Sequence, residues 1–191
     1  KFDEATAILA GDALHDLAFE ILSGNFNKLN SDAILRVINY LSTCIGNKGL
    51  AAGQSLDLQY EKTKVNKNKI LNMYKKKTAK LFEFSFSAPF ILSNSSKSQI
   101  QFSKDYGILF GLIFQIIDDL IDNTSSFKKL GKTPGKDKEQ GKSTLIEMGG
   151  KNKSINFCYN EIESIEKKYS NYFQKHSILG EILLYGISRV Y

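Results

Sequence analysis

Tryptophan is absent from the chain, and proline, cysteine, methionine and histidine occur twice each. Two prolines do not give the turn-rich punctuation of an all-β protein. Two cysteines, Cys44 and Cys158, supply no metal-ligand spacing and suit a reducing compartment. The histidines, His15 and His176, read as a solvent-facing residue and as a structural or exposed one. Arginine is confined to Arg36 and Arg189, so the net charge of +6 rests almost wholly on lysine. A lysine and asparagine excess can reflect the nucleotide composition of a genome. A nucleic-acid surface would cluster arginine and lysine with aromatics on one face. Here the lysines are spread, with Lys75-Lys76-Lys77 as a local run, and no RNA-binding or helix-turn-helix signature is present. No apolar run of about 18 residues free of charge exists, which excludes a membrane-spanning helix. The opening Lys1-Phe-Asp-Glu-Ala-Thr has no signal-peptide pattern. The expected location is the cytoplasm, or an organelle stroma in a eukaryote.

What remains is ordinary globular material. The 191 residues are 42% hydrophobic and 24% charged, enough for one domain, 1–191, with a sizeable core. Neither a linker nor an internal repeat is visible. Apolar residues at helical spacing predict a helix over 2–23 and a second that starts after a Ser31 cap and continues through Gly46 to Tyr60. A third runs over 69–92, kinked or ended early by Pro89. A long one ends at Asp122, an amphipathic one covers 154–173, and a final apolar one covers 180–191. The fold class is all-α. Asp12 and Asp16, one turn apart in the first helix, read as a structural hydrogen bond and a surface charge.

The sequence is organised around Gly107-Ile-Leu-Phe-Gly-Leu-Ile-Phe-Gln-Ile-Ile-Asp-Asp-Leu-Ile-Asp122. On a helix, Gly107, Gly111, Gln115, Asp118 and Asp122 share one small or polar stripe, and the other faces carry Leu, Ile and Phe. A helix apolar on nearly all sides is buried. The bland reading of its acidic end is a solvated terminus. The apolar run in front favours a cation instead, because buried carboxylates are rare unless paired or metal-bound. Asp118 and Asp122 can reach a common ion, and Asp119 points about 100° away. Mg²⁺ typically takes one or two carboxylates plus phosphate oxygens and water.

Other segments offer phosphate chemistry. Residues 123–143 form a loop with glycines at 131, 135 and 141 and many lysines. A basic glycine-rich loop beside carboxylates could hold a phosphate, but the spacing is not that of a P-loop. Lys77 and Thr78 bring a compact cation and a hydroxyl donor, or form part of a solvated lysine-rich face. Gln54 and Asp57 share a helical face and either line the same cavity or pair at the surface. Gly46, Gly49 and Gly53 cost helix propensity and point to close approach of a backbone or a ligand.

Phe114-Gln-Ile-Ile-Asp-Asp-Leu-Ile-Asp122, followed by Leu130-Gly-Lys-Thr-Pro-Gly-Lys-Asp137 and Gly141-Lys-Ser-Thr144, resembles the second aspartate-rich region of trans-isoprenyl diphosphate synthases. These are the farnesyl and geranylgeranyl diphosphate synthase type. Glu4 to Leu14, Gly53-Gln-Ser-Leu-Asp-Leu58 and Lys77-Thr78 agree in order. The resemblance implies an all-α bundle around a deep cavity, usually dimeric. It implies Mg²⁺-dependent condensation of isopentenyl diphosphate with an allylic diphosphate to give a longer prenyl diphosphate. It assigns Mg²⁺ to Asp118 and Asp122, with Asp119 as a nearby supporting member of the metal set. It assigns the allylic diphosphate to Lys77, Thr78, Gln115, Lys132 and Lys142, with Lys77 and Lys132 as the catalytic cations. Asp137 would orient metal-bound water, Gln54 and Asp57 would line the cavity, and Phe114 would be a wall near the isopentenyl site.

Two features of the family have no counterpart in these 191 residues. A first DDxxD region with its arginines, and an isopentenyl diphosphate site, precede the segment that corresponds to Lys1. The expectation is the later part of a polyprenyl synthetase domain, inactive by itself because one carboxylate cluster cannot supply the opposing metal ligands. The alternative is a non-catalytic subunit that pairs with a full synthase. A nucleic-acid binder ranks last.

Overall fold

The structure, a computed structural model, describes residues 2–24, 29–124, 142–173 and 177–189. Among these, the regular elements are all helical. α1 spans Glu4–Ser23, α2 Ser31–Ile45, α3 Leu50–Tyr60 and α4 Lys67–Tyr74. A π-helical turn, Lys75–Ala79, joins α4 to α5, Lys80–Leu92. The long α6 covers Lys97–Thr124, α7 covers Leu145–Lys168, a 3₁₀ turn covers Ser170–Tyr172, and α8 covers Ile178–Ser188.

The core is built on α6. Leu109, Leu112, Ile113, Ile116, Ile117 and Leu120 are all buried, on more than one face of the helix. At roughly 1.5–3 kcal/mol for each buried large side chain, this helix is the main source of packing free energy. Ile70, Met73, Ala79, Ile155, Cys158, Ile162 and Leu183 belong to the same buried cluster. Gly107 and Gly111 let the backbones approach. A Cβ at Gly111 would lie 2.4 Å from Cα of Ala79, and one at Gly107 would lie 2.7 Å from Cα of Glu83. The upper half of the predicted small stripe is therefore a packing seam.

Several boundaries differ from expectation. The predicted helix through Gly46 is two helices, because Gly46 and Gly49 form a tight turn; a Cβ at Gly49 would fall 1.8 Å from the Cys44 carbonyl oxygen. Asn30, not Ser31, caps α2, its side chain accepting from the amides of Asp32 and Ala33. Pro89 does not end α5, which runs on to Leu92; the irregularity in that segment falls at the π turn instead. α7 begins well before residue 154, capped by Thr144, and bends where Gly150 takes φ 78°. That conformation suits a residue without a Cβ.

α1 is the main departure. None of its residues is buried, and Ile8, Leu9, Leu14, Leu17 and Ile21 are exposed. It packs on α2, so its apolar spacing is real but is not covered by the described residues. Asp12 is exposed and not part of a buried hydrogen bond. His15 and Asp16 are exposed and sit 3.3 Å apart. No helix is long and apolar enough to cross a membrane among the described residues.

Candidate functional site

The π turn places the first site residues. Its Lys80 amide reaches back to the Lys75 carbonyl, an i→i+5 bond, and so inserts one extra residue into the helical repeat. The two residues in its middle thereby face different neighbours. The Lys77 ammonium pairs with the Asp57 carboxylate of α3. The Thr78 hydroxyl donates to Oε1 of Gln115 on α6. Gly53 makes the first contact possible, since a Cβ there would lie 2.1 Å from the Lys77 backbone nitrogen. The glycine cost read from the sequence thus reflects close approach of another backbone.

A second line of hydrogen bonds runs down α6. Gln115 Nε2 donates to Oδ1 of Asp119 at 2.7 Å. The Tyr74 hydroxyl donates to the other oxygen, Oδ2. Asp119 is 6% exposed and is drawn into the bundle, while Asp118 is half-buried. Asp122, 5% exposed, forms no hydrogen bond or ion pair among the described residues. Among those residues no group of three or more His, Cys, Asp or Glu side chains gathers as a metal site. The three helix-end acids therefore divide, with Asp119 facing Tyr74 and Gln115.

Do these residues fit a divalent cation? Asp118 and Asp122 are one helical turn apart on one face and offer hard oxygen donors. Asp122 is 5% exposed as a residue, and no buried side-chain polar atom among the described residues lacks a partner, so its carboxylate keeps contact with solvent where a cation could approach. Two carboxylates on one face fit Mg²⁺ held jointly with phosphate oxygens and water.

Of the remaining expected residues, Lys142 is half-buried next to Ser143. The Ser143 hydroxyl donates 2.6 Å to the Thr63 carbonyl and fixes this stretch to the turn after α3. Phe114 is 37% exposed, with its ring 5.3 Å from that of Phe82 and the Arg189 guanidinium 5.6 Å from its centre. Gln54 is exposed on α3 while Asp57 is buried, so these two do not act as a pair. Lys132, Asp137 and His176 lie outside the described residues. Tyr74 is a site neighbour the sequence reading missed. The one signal for it is its place a helical turn before Thr78.

The family model described as polyprenyl synthetase matches residues 1–180, and the chain belongs to that family. It is 39% identical over 150 residues to a farnesyl diphosphate synthase of Micrococcus luteus, covering 78% of this chain and 51% of that protein. It is 38% identical over 158 residues to a chloroplastic geranylgeranyl pyrophosphate synthase of Catharanthus roseus, covering 82% and 44%. Among solved structures, a geranyltransferase from Helicobacter pylori complexed with magnesium and isoprenyl diphosphate superposes with a TM-score of 0.81 at 29% identity. That match covers 99% of this chain and 61% of the other. A geranylgeranyl pyrophosphate synthetase from Geoglobus acetivorans gives 0.79 at 30% identity, covering 97% and 67%. The chain spans about half the length of the curated relatives it matches.

Proposed function

We propose that this chain carries one face of the Mg²⁺–diphosphate site of a prenyl diphosphate synthase, and that the complete protein condenses isopentenyl diphosphate with an allylic diphosphate. The observation that carries the reading is the placement of Asp122, 5% exposed, near the end of the long α6. It lies one turn from Asp118 on a helix whose preceding turn meets Thr78 through Gln115.

In this reading Asp118 and Asp122 hold Mg²⁺, which neutralises charge on a diphosphate leaving group when bound. Lys77 and Lys142 bring ammonium groups to the same diphosphate, and Thr78 brings a hydroxyl donor. Their present partners matter. Lys77 exchanges part of its pairing with Asp57 for the incoming anion, and Thr78 turns its proton from Gln115. Asp119 stays within the protein and holds the Gln115 amide. Lys132 and Asp137 keep the roles the resemblance gives them, as a second diphosphate cation and as a partner of metal-bound water. Phe114 is a wall residue. Asp57 acts as the partner of Lys77, and Gln54 is placed at the cavity rim.

We also propose a dimer, supported by the uncovered apolar residues of α1, with residues 1–191 acting as one domain in the cytoplasm or an organelle stroma. The experiment is a calorimetric titration of the 191-residue chain with an allylic diphosphate, in Mg²⁺ and in EDTA, alongside a turnover assay with isopentenyl diphosphate. The reading predicts Mg²⁺-dependent binding without turnover, since one carboxylate cluster supplies one side of the metal set. Binding that ignores Mg²⁺ would contradict the site, and turnover would contradict the need for a second cluster.

A further inference from the structure

Tyr74 is 2% exposed and closes α4 immediately before the π turn. Its hydroxyl is shared by two elements far apart in the chain. It donates to Oδ2 of Asp119 on α6 and accepts from the backbone amide of Leu145, 3.3 Å away, at the start of α7. Those helices are the two stems that flank the basic segment of the sequence. A single phenol therefore bridges them. Ser143 fixes the second stem again, through the Thr63 carbonyl.

The donor directions form a pattern. The Leu145 amide donates to Tyr74, and Tyr74 donates to Asp119. On the other side Thr78 donates to Gln115, and Gln115 donates to Asp119 at 2.7 Å. Both lines end on one buried carboxylate. With its two oxygens engaged in this way, Asp119 holds the Gln115 amide with its carbonyl toward Thr78. Bonds to a carboxylate are stronger than neutral ones, and buried networks depend on every member. Without the phenol hydroxyl Asp119 would be free to turn, and the Gln115 amide and the Thr78 hydroxyl would lose their fixed orientation with it.

We propose that Tyr74 is a positioning residue of the diphosphate site. Through Asp119 it orients Gln115 and Thr78, and through the Leu145 amide it holds the stem that carries Lys142. It touches no reacting atom. The inference rests on the site reading given above. A plain buried tyrosine, whose hydroxyl needs any partner, would affect stability alone.

Tyr106 supplies the control. It is 1% exposed, and its hydroxyl donates 2.8 Å to the Leu179 carbonyl, away from the site. The test is a titration of the full 191-residue chain with inorganic pyrophosphate at fixed Mg²⁺. Wild type is compared with Tyr74→Phe, Tyr106→Phe, Asp119→Asn and the Tyr74→Phe/Asp119→Asn double variant, with circular dichroism melts on each. Tyr74→Phe should weaken pyrophosphate about tenfold, as expected for one lost charge-assisted hydrogen bond. Tyr106→Phe should lower the melting temperature and leave pyrophosphate affinity unchanged. The double variant should bind no more weakly than Asp119→Asn, because the effect of Tyr74 passes through Asp119.

Equal losses in the two Phe variants, wild-type binding by Tyr74→Phe, or additive losses in the double variant would each overturn the proposal. One measurement needs no variant: pyrophosphate with Mg²⁺ should slow hydrogen exchange at the Leu145 amide about tenfold, and unchanged exchange would also overturn it. If wild type itself binds no pyrophosphate, the site reading fails and this inference falls with it. Wild-type binding beside an unaffected Tyr74→Phe removes the inference alone.

Discussion

The Lys77 ammonium is paired with the Asp57 carboxylate, and the two are unequally buried: the lysine side chain keeps 25% of its exposure and the aspartate 8%. Removing one partner therefore leaves behind different problems. Lys77→Ala strands a nearly enclosed carboxylate and should cost about 2–3 kcal/mol. Asp57→Ala strands an ammonium that can still reach water, and should cost about 1 kcal/mol. The double variant should cost less than the sum. Urea denaturation of the four proteins measures this, and additive costs would show that the pair is not coupled.

Two glycines should respond in opposite ways to the same substitution. At Gly53 a Cβ would lie 2.1 Å from the backbone nitrogen of Lys77, so Gly53→Ala must push α3 off the π turn. The expected loss is about 2–4 kcal/mol, together with weaker pyrophosphate binding. At Gly11, on exposed α1, a Cβ meets nothing within 4 Å. Gly11→Ala should stabilise by about 0.5–1 kcal/mol through helix propensity. Melting temperatures of the two variants decide it, and a shift of the same sign in both would count against the packing described.

The central helix could be read from residues alone because its signal is local: an apolar run, two glycines at helical spacing and an acidic end. The turn of Asp119 away from its neighbour Asp118 is what helical geometry gives for consecutive residues. Other features were hidden because they depend on what lies across the bundle. The π turn has no marker in Lys75-Lys76-Lys77-Thr78-Ala79, and it decides that Lys77 meets Asp57 while Thr78 meets Gln115. The turn at Gly46 and Gly49 was masked by apolar spacing that continues on both sides. Tyr74 went unread, since nothing near it in sequence names Asp119 or Leu145 as its partners. α1 shows the converse case, where a clear apolar pattern is not covered by the described residues.

The junction of α6 with the end of α7 should set part of the pH dependence of stability. Burial raises the Asp105 carboxyl, but hydrogen bonds from Lys168, Tyr169 and Gln101 outweigh it, and the group sits below its ordinary value. Its contribution is present above the unfolded value of 3.8 and is lost as pH falls below that. Lys168 is raised by its hydrogen bond to Asp105, so its share holds below 10.5 and is lost as pH rises through the higher folded value. Stability from this junction should therefore be flat near neutrality and decline at both extremes. Asp105→Asn should flatten the acid limb of a melting-temperature profile. An acid limb identical to that of wild type would remove this assignment.

The carboxylates should separate by role. Asp122→Asn and Asp118→Asn should each weaken Mg²⁺-dependent pyrophosphate binding at least about tenfold, the loss expected when one charged ligand is removed. Since Asp122 forms no ion pair among the described residues, its neutral variant should fold with undiminished stability. Thermal melts with and without Mg²⁺ and pyrophosphate report both effects at once, because a ligand that binds the folded state raises the melting temperature. A destabilised Asp122→Asn protein that still binds would contradict the division.

The central claim is that a divalent cation and a diphosphate meet at the end of α6. Mn²⁺ substituted for Mg²⁺, in the presence of pyrophosphate, broadens nearby resonances in the amide spectrum of the isotope-labelled chain. The account predicts broadening centred on Asp118 to Asp122, extending to Lys77 and Thr78 across the π turn and leaving α1 sharp. Broadening centred elsewhere on the surface, or none that depends on pyrophosphate, would contradict it.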